Sequence, residues 1–122
     1  MIHEFDFGIY PWRLWVSCDA DIDEQREYFG TEIVDWQEHS DGEAFTVSKK
    51  LPNGRYRHGA YIRFRRKADM TDDIIAHESG HVALEVFKYF GCKVDFTNQE
   101  PFCYLLGFTA GCCETVKRFK NK

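Results

Sequence analysis

Residues 71–91, TDDIIAHESGHVALEVFKYFG, hold the reading on which the fold turns. Ile75, Val82, Val86 and Phe90 recur at the spacing of one helical face, Thr71 stands where an N-cap belongs, Asp72 and Asp73 suit the positive end of the helix dipole, and Gly91 supplies a stop. The spacing predicts a helix over about 71–90. At its centre, His77-Glu78-Ser79-Gly80-His81 has the form H-E-x-x-H. Residues four apart project from one face, so His77 and His81 can reach one tetrahedral zinc ion at about 2.0–2.1 Å each. Glu78, turned roughly 100° away, is placed to act on a water beside that ion.

A catalytic zinc needs a third protein ligand and an open fourth position. No histidine follows His81, and Leu84 and Phe87 occupy the positions where an extended motif carries a glycine and a third histidine. The third ligand is therefore acidic, cysteinyl or from upstream. Glu100 is the candidate, separated from His81 by residues 82–99 and placed at the start of a second predicted helix. Thr97-Asn98-Gln99-Glu100 also has the form of a capping box, in which Glu100 serves the backbone of Thr97 instead. This helix starts near Thr97 to Pro101 and runs to about Phe119, with Leu105, Phe108, Cys112, Val116 and Phe119 for a core face. Gly107 and Gly111, one turn apart, clear a stripe along which a neighbouring helix can approach.

Upstream, Glu43 to Leu51 and Tyr56 to Arg66 flank Pro52, Asn53 and Gly54, which predicts a hairpin. Ala60, Ile62 and Phe64 share one face of its second strand; Tyr61, Arg63 and Arg65 share the other, expected to be wet. Tyr10 to Cys18 alternates as a half-buried strand, Asp21 to Phe29 reads as a short helix ended by Gly30, and Ile33 to Gln37 as a further strand. The fold class is α+β, in one domain spanning 1–122.

Hydrophobic residues at 43% and charged residues at 30% exclude a disordered or fibrous chain. The five cysteines are odd in number and form no C-x-x-C pair, which argues against a disulfide framework and for reduced thiols. Cys103 and Cys112 are expected to pack as small hydrophobes. Met1 to Gly8 carries His3, Glu4 and Asp6 instead of a basic and then apolar leader, and Pro101 to Cys113 is shorter than the roughly 20 residues of a bilayer span. A cytoplasmic chain with no membrane partner is expected. Lys49 to Lys67 holds eight of the sixteen basic residues and no acid, so charge is segregated despite a net −4.

His77, Glu78, His81 and Glu100, with the strand before the first helix, resemble the gluzincin clan of zinc metallopeptidases, whose signature is H-E-x-x-H and a glutamate ligand eighteen or nineteen residues on. The likeness covers about 56–120 and extends to the very small single-domain gluzincin-like proteins of bacterial and phage genomes. It implies a minimal zincin-like domain: a small twisted sheet packed against the H-E-x-x-H helix and a second helix carrying the glutamate ligand. An exposed edge strand, here Ala60 to Arg66, would pair with the substrate peptide. The larger enzymes set a histidine or tyrosine from a following domain against the tetrahedral intermediate, and this chain ends at Lys122. Tyr104, one turn after Glu100, is the local candidate for that role.

The expected activity is hydrolysis of a peptide bond by a zinc-activated water with Glu78 as general base. Arg63 and Arg65 beside the substrate strand would favour an acidic peptide. The rival expectation is a binding module for protein or nucleic acid that works through the basic hairpin 49–67, its metal site structural.

Overall fold

Alternating residues build four strands, and long apolar periodicities build the two helices that cover one side of them. The computed structural model describes residues 1–120: β1 (Ile2–Asp6), β2 (Arg13–Cys18), α1 (Ile22–Phe29), β3 (Gly42–Lys50), β4 (Tyr56–Phe64), α2 (Asp72–Tyr89) and α3 (Glu100–Arg118), with a 3-10 turn at Lys67–Asp69. The fold is α+β with a mixed sheet in the order β1-β2-β4-β3. β1 with β2 and β3 with β4 are antiparallel, and β2 runs parallel to β4 through the seam that registers 13–18 with 59–64. Gly59 makes that seam possible, because a Cβ there would lie 2.0 Å from the carbonyl oxygen of Arg13.

The hairpin forms where Pro52, Asn53 and Gly54 predict it, with Gly54 at φ 84° and the Leu51 N–H bonded to the Arg55 carbonyl at 2.7 Å. Its second strand lies inside the sheet, between β2 and β3, so Ala60 to Arg66 is not an exposed edge. The edges are β1 and β3. β1 lies in a stretch read only for targeting signals, though its alternation in Ile2-His3-Glu4-Phe5-Asp6 is a strand signal. The second strand of the sheet starts at Arg13, after Pro11, instead of at Tyr10.

On one face, Leu14, Val16, Ala60, Ile62 and Phe64 pack against Ile75, Val82 and Val86 of α2 and Leu105, Cys112, Cys113 and Val116 of α3. Burial of each large apolar side chain contributes about 1.5–3 kcal/mol, so this layer dominates stability. The other face is not wet. Trp15, Tyr61, Phe45 and Val47 lie under α1 and residues 30–41, with Phe29 and Ile33 completing the cluster. Ile33 to Gln37 forms no strand. Its carbonyls instead receive Arg63, which is fully buried and donates to the oxygens of Gln25 (2.9 Å), Val34 (2.8 Å), Asp35 (3.2 Å) and Glu43 (2.9 Å). Trp36 stacks over the guanidinium at 4.4 Å. Arg65 is tied down similarly, donating to the carbonyls of Ser40 at 2.7 Å and Gln37 at 2.9 Å. The arginine face is thus an interior held by charge-assisted hydrogen bonds.

Three details of α3 depart from expectation. Phe119 is its exposed C-cap, its ring edge-on to His3, instead of a core residue, whereas Phe108, half-buried, packs on the core against Phe7. Gly107 and Gly111 face open space, so they are not where α2 approaches. Cys103 is exposed, whereas Cys112 and Cys113 are buried, and burial pushes their thiols up to about 11 and about 12. No helix among the described residues is long and apolar enough to cross a membrane.

Candidate metal centre

α2 presents three faces, and their angular order decides what surrounds each motif residue. Ser79, Ala83 and Phe87 turn towards α3, while Ile75, Val82 and Val86 turn towards the sheet. His77 and His81 are exposed on the far side of the helix from α3. Glu78, between them and the sheet, is 6% exposed.

The two imidazoles meet. Their Nε2 atoms are 3.1 Å apart and the rings stand edge to face at 4.7 Å between centroids. Two nitrogens each about 2.05 Å from a tetrahedral zinc stand about 3.3 Å apart, so the pair fits as two ligands of one ion. Glu78 reaches the same region from the side. Gly42, the first residue of β3, allows this: a Cβ at that position would lie 3.4 Å from the Glu78 Cγ and 3.3 Å from the Ile74 Cγ2. Burial raises the Glu78 carboxyl above its usual range, and the neighbouring imidazoles oppose that shift. An open cleft of about 390 Å³ lies against His77 and Glu78, lined also by Ile74, Asp73 and the loop Ser40–Gly42, with His81 outside its lining.

Glu100 is not gathered into this arrangement. Among the described residues no group of three or more His, Cys, Asp or Glu side chains converges as metal ligands. The reason lies in helix length. α2 continues for two turns beyond His81, and Phe87 packs on Phe102 while Gly80 lies opposite Leu106. This antiparallel register sets Glu100 level with the last turn of α2, about 12 Å along the axis from His81. Nor does Glu100 close a capping box: the N-cap is Gln99, and both the N–H and the hydroxyl of Thr97 bond to Asp95 Oδ1. Tyr104 is half-exposed, stacks on Phe108, and does not line the cleft.

Asp72, Asp73 and Asp95 are the acidic alternatives to Glu100 in the sequence, and Asp73 is the one that lines the cleft. Asp73 precedes His77 by one turn and His81 by two, on the same stripe of α2, and shares the cleft wall with His77. The stripe Asp73, His77, His81 was legible as an i, i+4, i+8 repeat. Asp73 is exposed, and a hydrogen bond from the Thr71 hydroxyl at 2.6 Å holds its carboxyl below the usual carboxylate range.

β3 forms the rim of the site, and the phase of its ladder is fixed at both ends. Arg65 N–H bonds to the Asp41 carbonyl and Leu51 N–H to the Arg55 carbonyl, so the odd residues 41–51 bond inward to β4. Ala44, Thr46 and Ser48 therefore direct their N–H and C=O groups outward, along a free sheet edge that begins beside Glu78. Comparison with protein-family models, with curated proteins and with solved structures finds no match.

Proposed function

We propose that the chain is a zinc-dependent peptidase of minimal zincin-like form, with His77 and His81 holding the metal and Glu78 acting as general base. The observation that carries this reading is the convergence of the two Nε2 atoms at 3.1 Å beside a buried carboxylate, with His77 and Glu78 lining a cleft at the start of a free strand edge. When bound, zinc would polarise the scissile carbonyl and acidify a water. Glu78 then takes the proton of that water on its carboxylate and delivers it to the leaving amine nitrogen. Burial of the side chain, whose Cγ lies against Gly42, raises the affinity of the carboxylate for the proton. The outward amides of β3 orient an extended peptide across the cleft, the part that the likeness had given to Ala60–Arg66.

The third ligand in this reading is a carboxylate; Asp73 and Glu100 each lie about 12 Å along the helix axis from His81, and Asp73 is placed first because it shares the cleft with His77. The binding-module alternative loses Arg63, which is buried, and Arg65, which is bonded to two loop carbonyls, but keeps Lys50, Arg55, Arg57, Arg66 and Lys67 exposed along 49–67. The same two bonds remove the reason for an acidic substrate.

Calorimetric zinc titration, combined with cleavage of a diverse peptide library, tests the reading. One zinc per chain is expected, weakened by His77→Ala, by His81→Ala and by Asp73→Asn more than by Glu100→Gln. Glu78→Gln keeps the metal and loses about 10²–10⁴ in rate. A zinc-loaded parent that cleaves no library member overturns the function. A larger affinity loss in Glu100→Gln than in Asp73→Asn returns the third ligand to α3.

A further inference from the structure

A groove of about 650 Å³, larger than the cleft at His77, lies farther along the same strand edge, at Phe45–Ser48. Its floor is the outward edge of β3. One wall is the second half of α2, with Glu85, Lys88 and the half-exposed Tyr89; the other is the segment after α1, with Glu32, Ile33 and Val34. Strand side chains alternate between these walls: Thr46 and Ser48 face α2, while Phe45 and Val47 join the apolar cluster of Phe29 and Ile33.

We infer that this groove recognises an extended peptide segment in which an apolar and a basic residue stand side by side. The inference rests on the peptidase reading in one respect, that the segment belongs to the substrate. A chain paired with Ala44, Thr46 and Ser48 must send successive side chains to opposite walls. One side chain meets Ile33, Val34 and Val47, an apolar surface. Its neighbour meets Glu85 and the face of Tyr89, which together suit a guanidinium or ammonium. Glu85 and, on the opposite wall, Glu32 take part in no ion pair among the described residues, and Lys88 and His58 are the basic side chains of the lining. Thr46 to Ser48 lie four to six residues from Gly42, about 13–20 Å at the rise of a strand. The pair is thus read at that distance from the scissile bond.

The probe is the blocked octapeptide acetyl-Thr-Ser-Thr-Leu-Arg-Thr-Ser-Thr-amide, titrated into the full chain carrying Glu78→Gln so that nothing is turned over, with backbone amide shifts read by NMR. Binding is expected to shift Ala44, Thr46 and Ser48 and to be at least tenfold tighter than for Leu-Glu or Ser-Arg versions. N-methylation of the central backbone should weaken it tenfold, and Glu32→Gln with Glu85→Gln should erase the preference for arginine over glutamate. Equal binding of all versions, no binding of any, or shifts confined to other strands overturns the proposal. So does a peptide-free, concentration-dependent dimer seated on β3. The two readings fail separately. The predicted preference in binding, with no cleavage by the zinc-loaded parent, keeps the groove and removes the peptidase. Cleavage indifferent to the pair does the reverse.

Discussion

On the α2 and α3 side of the sheet, the interior is closed by aliphatic and cysteine side chains on two long helices; on the α1 side it is closed by one short helix, an irregular segment and a buried arginine. The first layer is held by a nondirectional effect proportional to area, spread over many contacts. The second is concentrated in a few directional bonds, each of which leaves a buried group unpaired when it is lost. A chain with too little apolar sequence for two helical layers can still cover both faces of a sheet, at the cost of making one of them sensitive to a single residue.

That difference can be broken most directly at Arg63. Arg63→Ala strips the partner from Glu43 and from the carbonyls of Val34 and Asp35, so a loss of about 3–5 kcal/mol in urea unfolding is expected. Arg63→Met combined with Glu43→Leu should cost less than Arg63→Ala alone, since no charge is then stranded. On the opposite face, Leu105→Ala, at a fully buried position, should cost about 3 kcal/mol, and small nonpolar solutes that enter the resulting space should restore part of it.

Acid sharpens the comparison further, because only the α1 face contains a carboxylate tied to a buried cation. Burial pushes the Glu43 carboxyl up, but hydrogen bonds from Arg63, the Gln37 N–H and Ser40 outweigh it and set the folded value below 4.5. A depressed folded value adds stability that is fully present above the unfolded value and lost as pH falls through the folded one. The stability gap between the parent and Glu43→Gln should therefore narrow as pH drops below about 4.5, while the gap between the parent and Leu105→Ala stays flat. The smallest effect belongs to Cys103→Ser, on the exposed side of α3, where denaturation midpoints should agree to within about 0.5 kcal/mol.

The face with regular periodicity was the legible one. The 3.6-residue repeat of α2, the H-E-x-x-H form within it and the Pro52-Asn53-Gly54 turn are all local signals, and the structure contains the helix and the turn where they indicate. Coverage of the other face by residues 30–41 has no local signature, because the segment is ordered by bonds from Arg63 and Arg65, distant in sequence. The order of strands was equally hidden: nothing within Ala60 to Arg66 reveals that β2 occupies its other side. At the candidate metal centre, His77, Glu78 and His81 were readable since one helix fixes their relation. Glu100 stands outside that relation, because its distance depends on how far α2 runs past His81 and on where α3 begins.

The parallel seam between β2 and β4 bears on how the chain reaches this state. β1 with β2 and β3 with β4 each close over a short connection, and such pairs form on a microsecond scale. Joining them requires residues 13–18 to find 59–64 across the whole of α1 and the first hairpin strand, a closure whose chain entropy is spent before its contacts are made. Assembly is therefore expected to wait on this one event, with Gly59 as its gatekeeper: the two backbones touch at that residue, and any side chain there obstructs the encounter itself. The long helices draw their apolar support from the finished sheet, so the candidate metal centre, which sits on one of them, is expected to depend on this same closure.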